Sequence, residues 1–203
     1  MQLNNFLGGY EGVTCIYGKA GSGKTTLAIM SALELARENK KTLFFDTENG
    51  FSAERFRQMA GNDNNNLLEK IFVLKVNGFK DQQEQIKKLG ELIKKGKFSF
   101  VVVDTLTSHY RRMLRSKTDL ANGMLISQMR ILKEASRKAP VLIATQVYDD
   151  IEKNEIRPIG GKIIERDSNK IMFLKKDPRI IKITKPEEKE NRFNIQDEGI
   201  VLL

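Results

Sequence analysis

Residues 18 to 25 read Gly-Lys-Ala-Gly-Ser-Gly-Lys-Thr, the spelling G-x-x-x-x-G-K-[ST] of a phosphate-cradling loop. Gly18, Gly21 and Gly23 let the backbone wrap closely enough for consecutive N–H groups to face phosphate oxygens, with Lys19, Ala20 and Ser22 filling the turn. Lys24 has the reach to meet the β- and γ-phosphates, and the Thr25 hydroxyl is placed to hold Mg²⁺. The apolar run Val13–Tyr17 precedes the loop. Thr26–Glu38, free of Gly and Pro, follows it and predicts a helix whose N-terminus favours an anion. Strand, glycine loop and helix in this order imply a site for a nucleoside triphosphate with Mg²⁺.

Two carboxylates are candidates to complete such a site. Asp104 ends the nearly continuous apolar run Phe98–Asp104, so it emerges at the strand edge where open α/β sheets bind ligands, and is expected to hold the metal. Its plain alternative is an Asp that caps the next turn. Glu48 follows the strand Thr42–Asp46 and is the candidate general base for an attacking water; otherwise it is an ordinary loop residue. Gln146 follows the strand Val141–Thr145 and is placed to sense the γ-phosphate.

The elements that must position these groups alternate. Further strands are expected at Ile71–Val76, Ile171–Leu174 and Ile180–Ile183, and further helices at Ala53–Ala60, Asp81–Lys95 and Asp119–Arg137. Ile86, Leu89, Leu92 and Ile93 stripe one side of the segment Asp81–Lys95. The pattern implies an α/β fold, a mostly parallel twisted sheet covered by helices on both faces, with an antiparallel extension after Ile171. The run Asn62–Asn66 reads as a solvated loop.

Length and composition fit one core over residues 1–203, of which 40% are hydrophobic and 30% charged. No apolar run reaches membrane-spanning length, and the first residues lack the pattern of a signal peptide, so the expected location is cytoplasmic. The lone cysteine, Cys15, lies in an expected core strand. The net charge of +9 is concentrated in residues 70–140, which hold 16 Lys/Arg against 6 Asp/Glu. A local basic surface suits a polyanion such as nucleic acid. The alternative, for Lys87, Lys88, Lys94, Lys95 and Lys97, is a solvated helix face.

Five blocks carry a family resemblance. They are the phosphate loop, Asp46–Arg55, Val102–Arg111, Ala144–Val147 and Pro158–Gly161, and in this order they resemble RecA/RadA-type recombinase cores over nearly the whole chain. The chain is most similar to the short archaeal paralogues of that family. The resemblance implies a RecA-like P-loop ATPase core, with Glu48 aligned to the catalytic carboxylate and Gln146 to the nucleotide-sensing glutamine. Arg55 aligns with the arginine that stacks on adenine. It further implies that Arg111, Arg112, Arg115 and Lys117, in the first of two DNA-holding loops, contact DNA, with single strands the expected form. The implied function is accessory: DNA binding and weak ATP hydrolysis in archaeal homologous recombination and repair, in association with the main RadA recombinase and the Hjc resolvase, with a homo-oligomer also conceivable. Two rivals are a RecA-like ATPase acting on proteins and an ATP-binding scaffold with negligible turnover.

The sequence departs from the family in three places. The second DNA loop, Tyr148–Arg157, is short and acidic through Asp149, Asp150, Glu152 and Glu155. Arg166 stands where recombinases have a His after Gly-Gly. No room is expected before the first strand for a helical DNA-binding domain or a Phe-x-x-Ala linker. Pro186 and Glu187, with Lys182 and Lys185, are candidates to cap ATP on a neighbouring subunit.

Overall fold

The computed structural model describes residues 3–61, 64–150 and 155–203. Asn62, Asp63 and Glu152, which entered the two loop expectations, lie outside the described residues. In chain order the first elements are α1 (Leu3–Leu7), β1 (Val13–Tyr17), α2 (Lys24–Arg37), β2 (Lys41–Asp46), α3 (Ala53–Ala60), α4 (Asn64–Leu68) and β3 (Ile71–Lys75). Next come α5 (Phe79–Lys87), α6 (Leu89–Gly96), β4 (Phe98–Asp104), α7 (Ser108–Leu114), α8 (Thr118–Ala135) and β5 (Val141–Thr145). The chain continues with β6 (Val147–Asp150), β7 (Glu155–Pro158), α9 (Gly161–Asp167), β8 (Lys170–Lys175), β9 (Ile180–Lys185), β10 (Lys189–Gln196) and β11 (Gly199–Leu202).

The main sheet runs β11-β10-β9-β8-β1-β5-β4-β2-β3, parallel from β8 to β3 and antiparallel from β8 to β11. The expected doubly covered α/β fold with an antiparallel C-terminal extension is borne out. Alternation explains why the apolar strands need two covers. In β4, Val101 and Val103 enter one core with residues of α5, α6 and α8, while Phe100 and Val102 enter another with residues of α2 and α3. Burying a side chain of this size is worth about 1.5–3 kcal/mol, so the central strands are fixed by both faces.

Parallel register gathers chain ends at one edge. Tyr17 pairs with Thr145, and Asp46 pairs with Asp104. The phosphate loop, Glu48, Asp104 and Gln146 therefore leave four strands on the same side of the sheet.

Four local expectations are corrected. Of the expected loop Asn62–Asn66, residues Asn64–Asn66 open helix α4 instead. The stretch Arg111–Lys117, expected as a loop, begins inside helix α7. Tyr110 holds that helix down: its ring meets Phe79 at 6.0 Å and its hydroxyl donates to Asn122 Oδ1 at 2.7 Å. The stretch Tyr148–Arg157, also expected as a loop, contributes to an antiparallel hairpin in which Tyr148 pairs with Arg157. The expected helix Asp81–Lys95 is two helices, α5 and α6, meeting at Lys88. Gly90, which weakens a helix by about 1 kcal/mol relative to Ala, lies just past the break.

Candidate nucleotide site at the sheet edge

Gly18 opens the turn after β1, and only glycine fits there: a Cβ would lie 2.3 Å from the Leu174 carbonyl oxygen and 2.6 Å from Ser22 Oγ. Gly23, at φ 105°, is the residue before helix α2, in the left-handed region that glycine adopts without penalty. The helix thus begins at Lys24, two positions earlier than its composition suggests, which puts Lys24 and Thr25 in the first turn. Lys24 Nζ donates to the carbonyls of Gly18 at 2.8 Å and Lys19 at 3.0 Å, folding the ammonium over the loop. Burial pushes the Lys24 ammonium below the usual lysine range, against the opposing pull of the Asp104 and Glu48 carboxylates.

Thr25 Oγ1 donates to Asp104 Oδ2 at 2.7 Å. Asp104 is 5% exposed, and burial drives its carboxyl up to about 6 despite the Thr25 hydrogen bond and the Lys24 charge. A carboxylate strained in this way is stabilised by a bound cation. Mg²⁺ takes one or two protein oxygens and completes its shell with water and phosphate oxygens. Thr25 and Asp104 fit that demand. Among the described residues no cluster of three or more His, Cys, Asp or Glu offers an alternative metal site. Among the described residues the buried Ser22 hydroxyl of the phosphate loop has no hydrogen-bond partner, a further sign that the loop suits an added polar ligand.

Glu48 sits on the short loop after β2, and Asp46 shapes that loop. The buried Asp46 carboxylate accepts from the amides of Glu48 at 3.4 Å, Gly50 at 2.9 Å and Phe51 at 3.1 Å. Each oxygen of Glu48 is engaged: Oε1 accepts from Gln146 Nε2 at 2.8 Å and Oε2 accepts from the Thr105 hydroxyl. Gln146 is anchored by its own amide, which donates to Thr107 Oγ1 at 3.1 Å. The structure thus brings Lys24, Thr25, Asp104, Glu48 and Gln146 to one site. Asp46, Thr105 and Thr107 escaped the sequence reading. For Asp46 the Asp-Thr-Glu-Asn-Gly run was a usable signal, because an Asp before a turn commonly accepts from amides further on.

The remaining candidates are scattered around this site. Arg55, in α3, donates through its guanidinium edge to the carbonyls of Gln196 at 2.5 Å and Asp197 at 3.2 Å, so it ties α3 to the turn between β10 and β11. Arg111, Arg112, Arg115 and Lys117 are exposed, and none forms an ion pair among the described residues. The acidic hairpin reaches the phosphate loop, where Asp149 pairs with Lys19 at 3.2 Å. Arg166, in α9, pairs with Asp167 at 2.7 Å. Pro186 and Glu187 follow β9 at the opposite edge, since Lys185 pairs with Ile171 at the amino end of β8. Lys182 pairs with Glu188 at 3.4 Å, and Lys185 Nζ donates to the Ser168 carbonyl at 2.5 Å. Among the described residues, none of these four forms a hydrogen bond or ion pair with the chain's own phosphate loop.

A parallel sheet ending in a glycine loop, with two carboxylates and a glutamine on the same edge, is the arrangement of a RecA-like P-loop protein. The Rad51 family model matches residues 2–202, and the chain belongs to that family. Several of its relatives there carry the name RadB. The chain is 34% identical to the DNA repair and recombination protein RadB of Methanococcoides burtonii, over 95% of this chain and 91% of the relative. It is 36% identical to the RadB of Archaeoglobus fulgidus, over 93% of this chain and 88% of the relative. A crystal structure of the RadB recombinase superposes with a TM-score of 0.79 at 31% identity, covering 98% of this chain and 94% of that one. The family resemblance carried by the five sequence blocks is borne out. Among the described residues no helix is long and apolar enough to cross a membrane.

Proposed function

We propose that this chain is an ATP- and DNA-binding accessory protein of archaeal homologous recombination and DNA repair, with a slow Mg²⁺-dependent ATPase, that assists the RadA recombinase in the cytoplasm. The observation that carries the reading is the convergence of Lys24, Thr25, Asp104, Glu48 and Gln146 on one sheet edge beside a glycine-wrapped loop. RadB relatives described as DNA repair and recombination proteins support its biological half.

Each group has a definite task. The loop amides from Gly18 to Thr26 and the Lys24 ammonium bind the phosphates. Thr25 and Asp104 hold Mg²⁺, which when bound draws charge from the β- and γ-phosphate oxygens. Arg55 stacks on adenine; hydrogen bonds to its edge leave a guanidinium plane free for such contact. Glu48 takes a proton from the water that attacks the γ-phosphorus. Gln146 reports the γ-phosphate by exchanging its bond to Glu48 for one to the phosphate. DNA meets Arg111, Arg112, Arg115 and Lys117 around the end of α7. Residues 1–203 act as one core, with RadA foremost and Hjc second among partners, and a neighbouring copy of the chain is a further candidate.

Two variants test the nucleotide reading. Lys24→Ala abolishes binding of a fluorescent ATP analogue, because the phosphates lose their main counter-charge. Glu48→Gln keeps that binding and lowers DNA-stimulated turnover by roughly 10²–10⁴-fold, the usual range for a general base. Unimpaired nucleotide affinity in Lys24→Ala removes the site assignment. Undiminished turnover in Glu48→Gln removes the base. Co-purification with RadA, with and without ATP and single-stranded DNA, tests the partner.

A further inference from the structure

The ends of strands β2 and β4 are joined by a buried threonine pair, Thr47 and Thr105. Thr47 N donates to the Asp104 carbonyl at 2.9 Å. The Thr47 hydroxyl then serves both backbone groups of the next residue, donating to the Thr105 carbonyl at 2.8 Å and accepting from the Thr105 amide at 2.8 Å. Thr47 is 5% exposed and Thr105 is 1% exposed, so these bonds are shielded from water. A buried network with every member satisfied is rigid and is the kind that fixes a single geometry.

That rigidity has one outlet. The Thr105 hydroxyl donates to Glu48 Oε2, while the other Glu48 oxygen is held by Gln146. The two holders differ in character. Thr105 is buried and its backbone is clamped, whereas Gln146 Nε2 bonds Glu48 at an exposed contact. Glu48 itself is exposed, on a loop whose following backbone amides are bonded to Asp46. A free glutamate side chain samples several rotamers, and fixing it in one costs conformational entropy.

We propose that Thr105 is a positioning residue for the ATPase reaction: clamped through its backbone by Thr47, its hydroxyl holds the Glu48 carboxylate in the orientation that meets the attacking water, and keeps holding it when Gln146 turns away. The inference rests on Glu48 being the base. Thr105 never contacts the reacting atoms; it removes from the chemical step the cost of orienting the carboxylate.

The test uses the full-length chain with Mg²⁺ and ATP. Thr105→Val keeps the shape and deletes the hydroxyl. It lowers kcat by roughly 5–30-fold, the factor equivalent to 1–2 kcal/mol, and leaves KM for ATP and the affinity for a non-hydrolysable analogue within about twofold. Thr105→Ser, which restores the hydroxyl without the methyl, recovers most of the lost turnover. In a Glu48→Gln background, Thr105→Val produces no further loss, because both substitutions act through the same carboxylate.

The outcomes separate. If Glu48→Gln cripples turnover while Thr105→Val does not, or if the two losses multiply in the double variant, Thr105 does not act through Glu48 and the inference fails while the base assignment stands. If Glu48→Gln changes nothing, the base assignment fails first. If Thr105→Ser is as impaired as Thr105→Val, or KM rises in step with the fall in kcat, the residue is structural and the inference is overturned.

Discussion

Replacing Asp104 by Asn should make the metal-free protein more stable, although it removes a metal ligand. Burial raises the Asp104 carboxyl from 3.8 to about 6. The folded chain therefore binds that proton more tightly than the unfolded chain does. Ionising the group opposes folding progressively as pH rises from about 4 to about 6, and the cost is constant above that range. A shift of about two units at roughly 1.4 kcal/mol each gives a cost of about 3 kcal/mol at pH 8, falling to about 1 kcal/mol at pH 4.5. Asn carries no charge and keeps an oxygen that can accept from the Thr25 hydroxyl, so Asp104→Asn recovers most of this penalty. The assay is urea denaturation in EDTA at pH 8 and pH 4.5. The expected gain is about 2–3 kcal/mol at the higher pH and 1 kcal/mol or less at the lower one. Mg²⁺·ADP should then stabilise the natural chain and do little for the variant. A variant equally or less stable at pH 8 would refute the idea that the ionised carboxylate is held at a cost.

Two further outcomes follow from the geometry. Arg111→Ala, Arg112→Ala and Arg115→Ala should each reduce the slope of log DNA affinity against log salt by roughly 0.7–0.9 in a fluorescence-anisotropy titration, the share of one phosphate contact; a slope that stays put eliminates that side chain as a contact. Gly18→Ala, whose methyl would meet the Leu174 carbonyl at 2.3 Å, should distort the phosphate loop, cost several kcal/mol in denaturant unfolding and abolish nucleotide binding. Undisturbed stability there would mean that the backbone yields more readily than its packing implies.

Features written in consecutive residues were legible in the sequence. Val13–Tyr17, Ala53–Ala60, Phe98–Asp104 and Val141–Thr145 occupy their expected bounds because apolar content and flanking turn residues both mark them. Gly18 and Lys24 were found because the phosphate loop encodes its own shape. The features that escaped depend on distant partners. Helix α7 is short, and it is secured by Tyr110 against Phe79 and Asn122. The hairpin of β6 and β7 is mostly polar, so its alternation carries no hydrophobic signal. Thr105 looked like one more residue after a buried strand. Its bond to Glu48 exists only because β2 lies beside β4 with Asp46 opposite Asp104.

The place of β1 in the sheet also bears on how the molecule comes into being. The strand that delivers the phosphate loop is flanked by β5 and β8, with Val13 beside Val141 and Cys15 beside Ile171. At ribosomal speeds of about 5–20 residues per second, these flanking strands emerge on the order of ten seconds after the loop itself. Until then β1, a mostly apolar strand, lacks both of its sheet neighbours. The phosphate loop takes its final shape only once β8 has joined β1, because Gly18 packs against the Leu174 carbonyl.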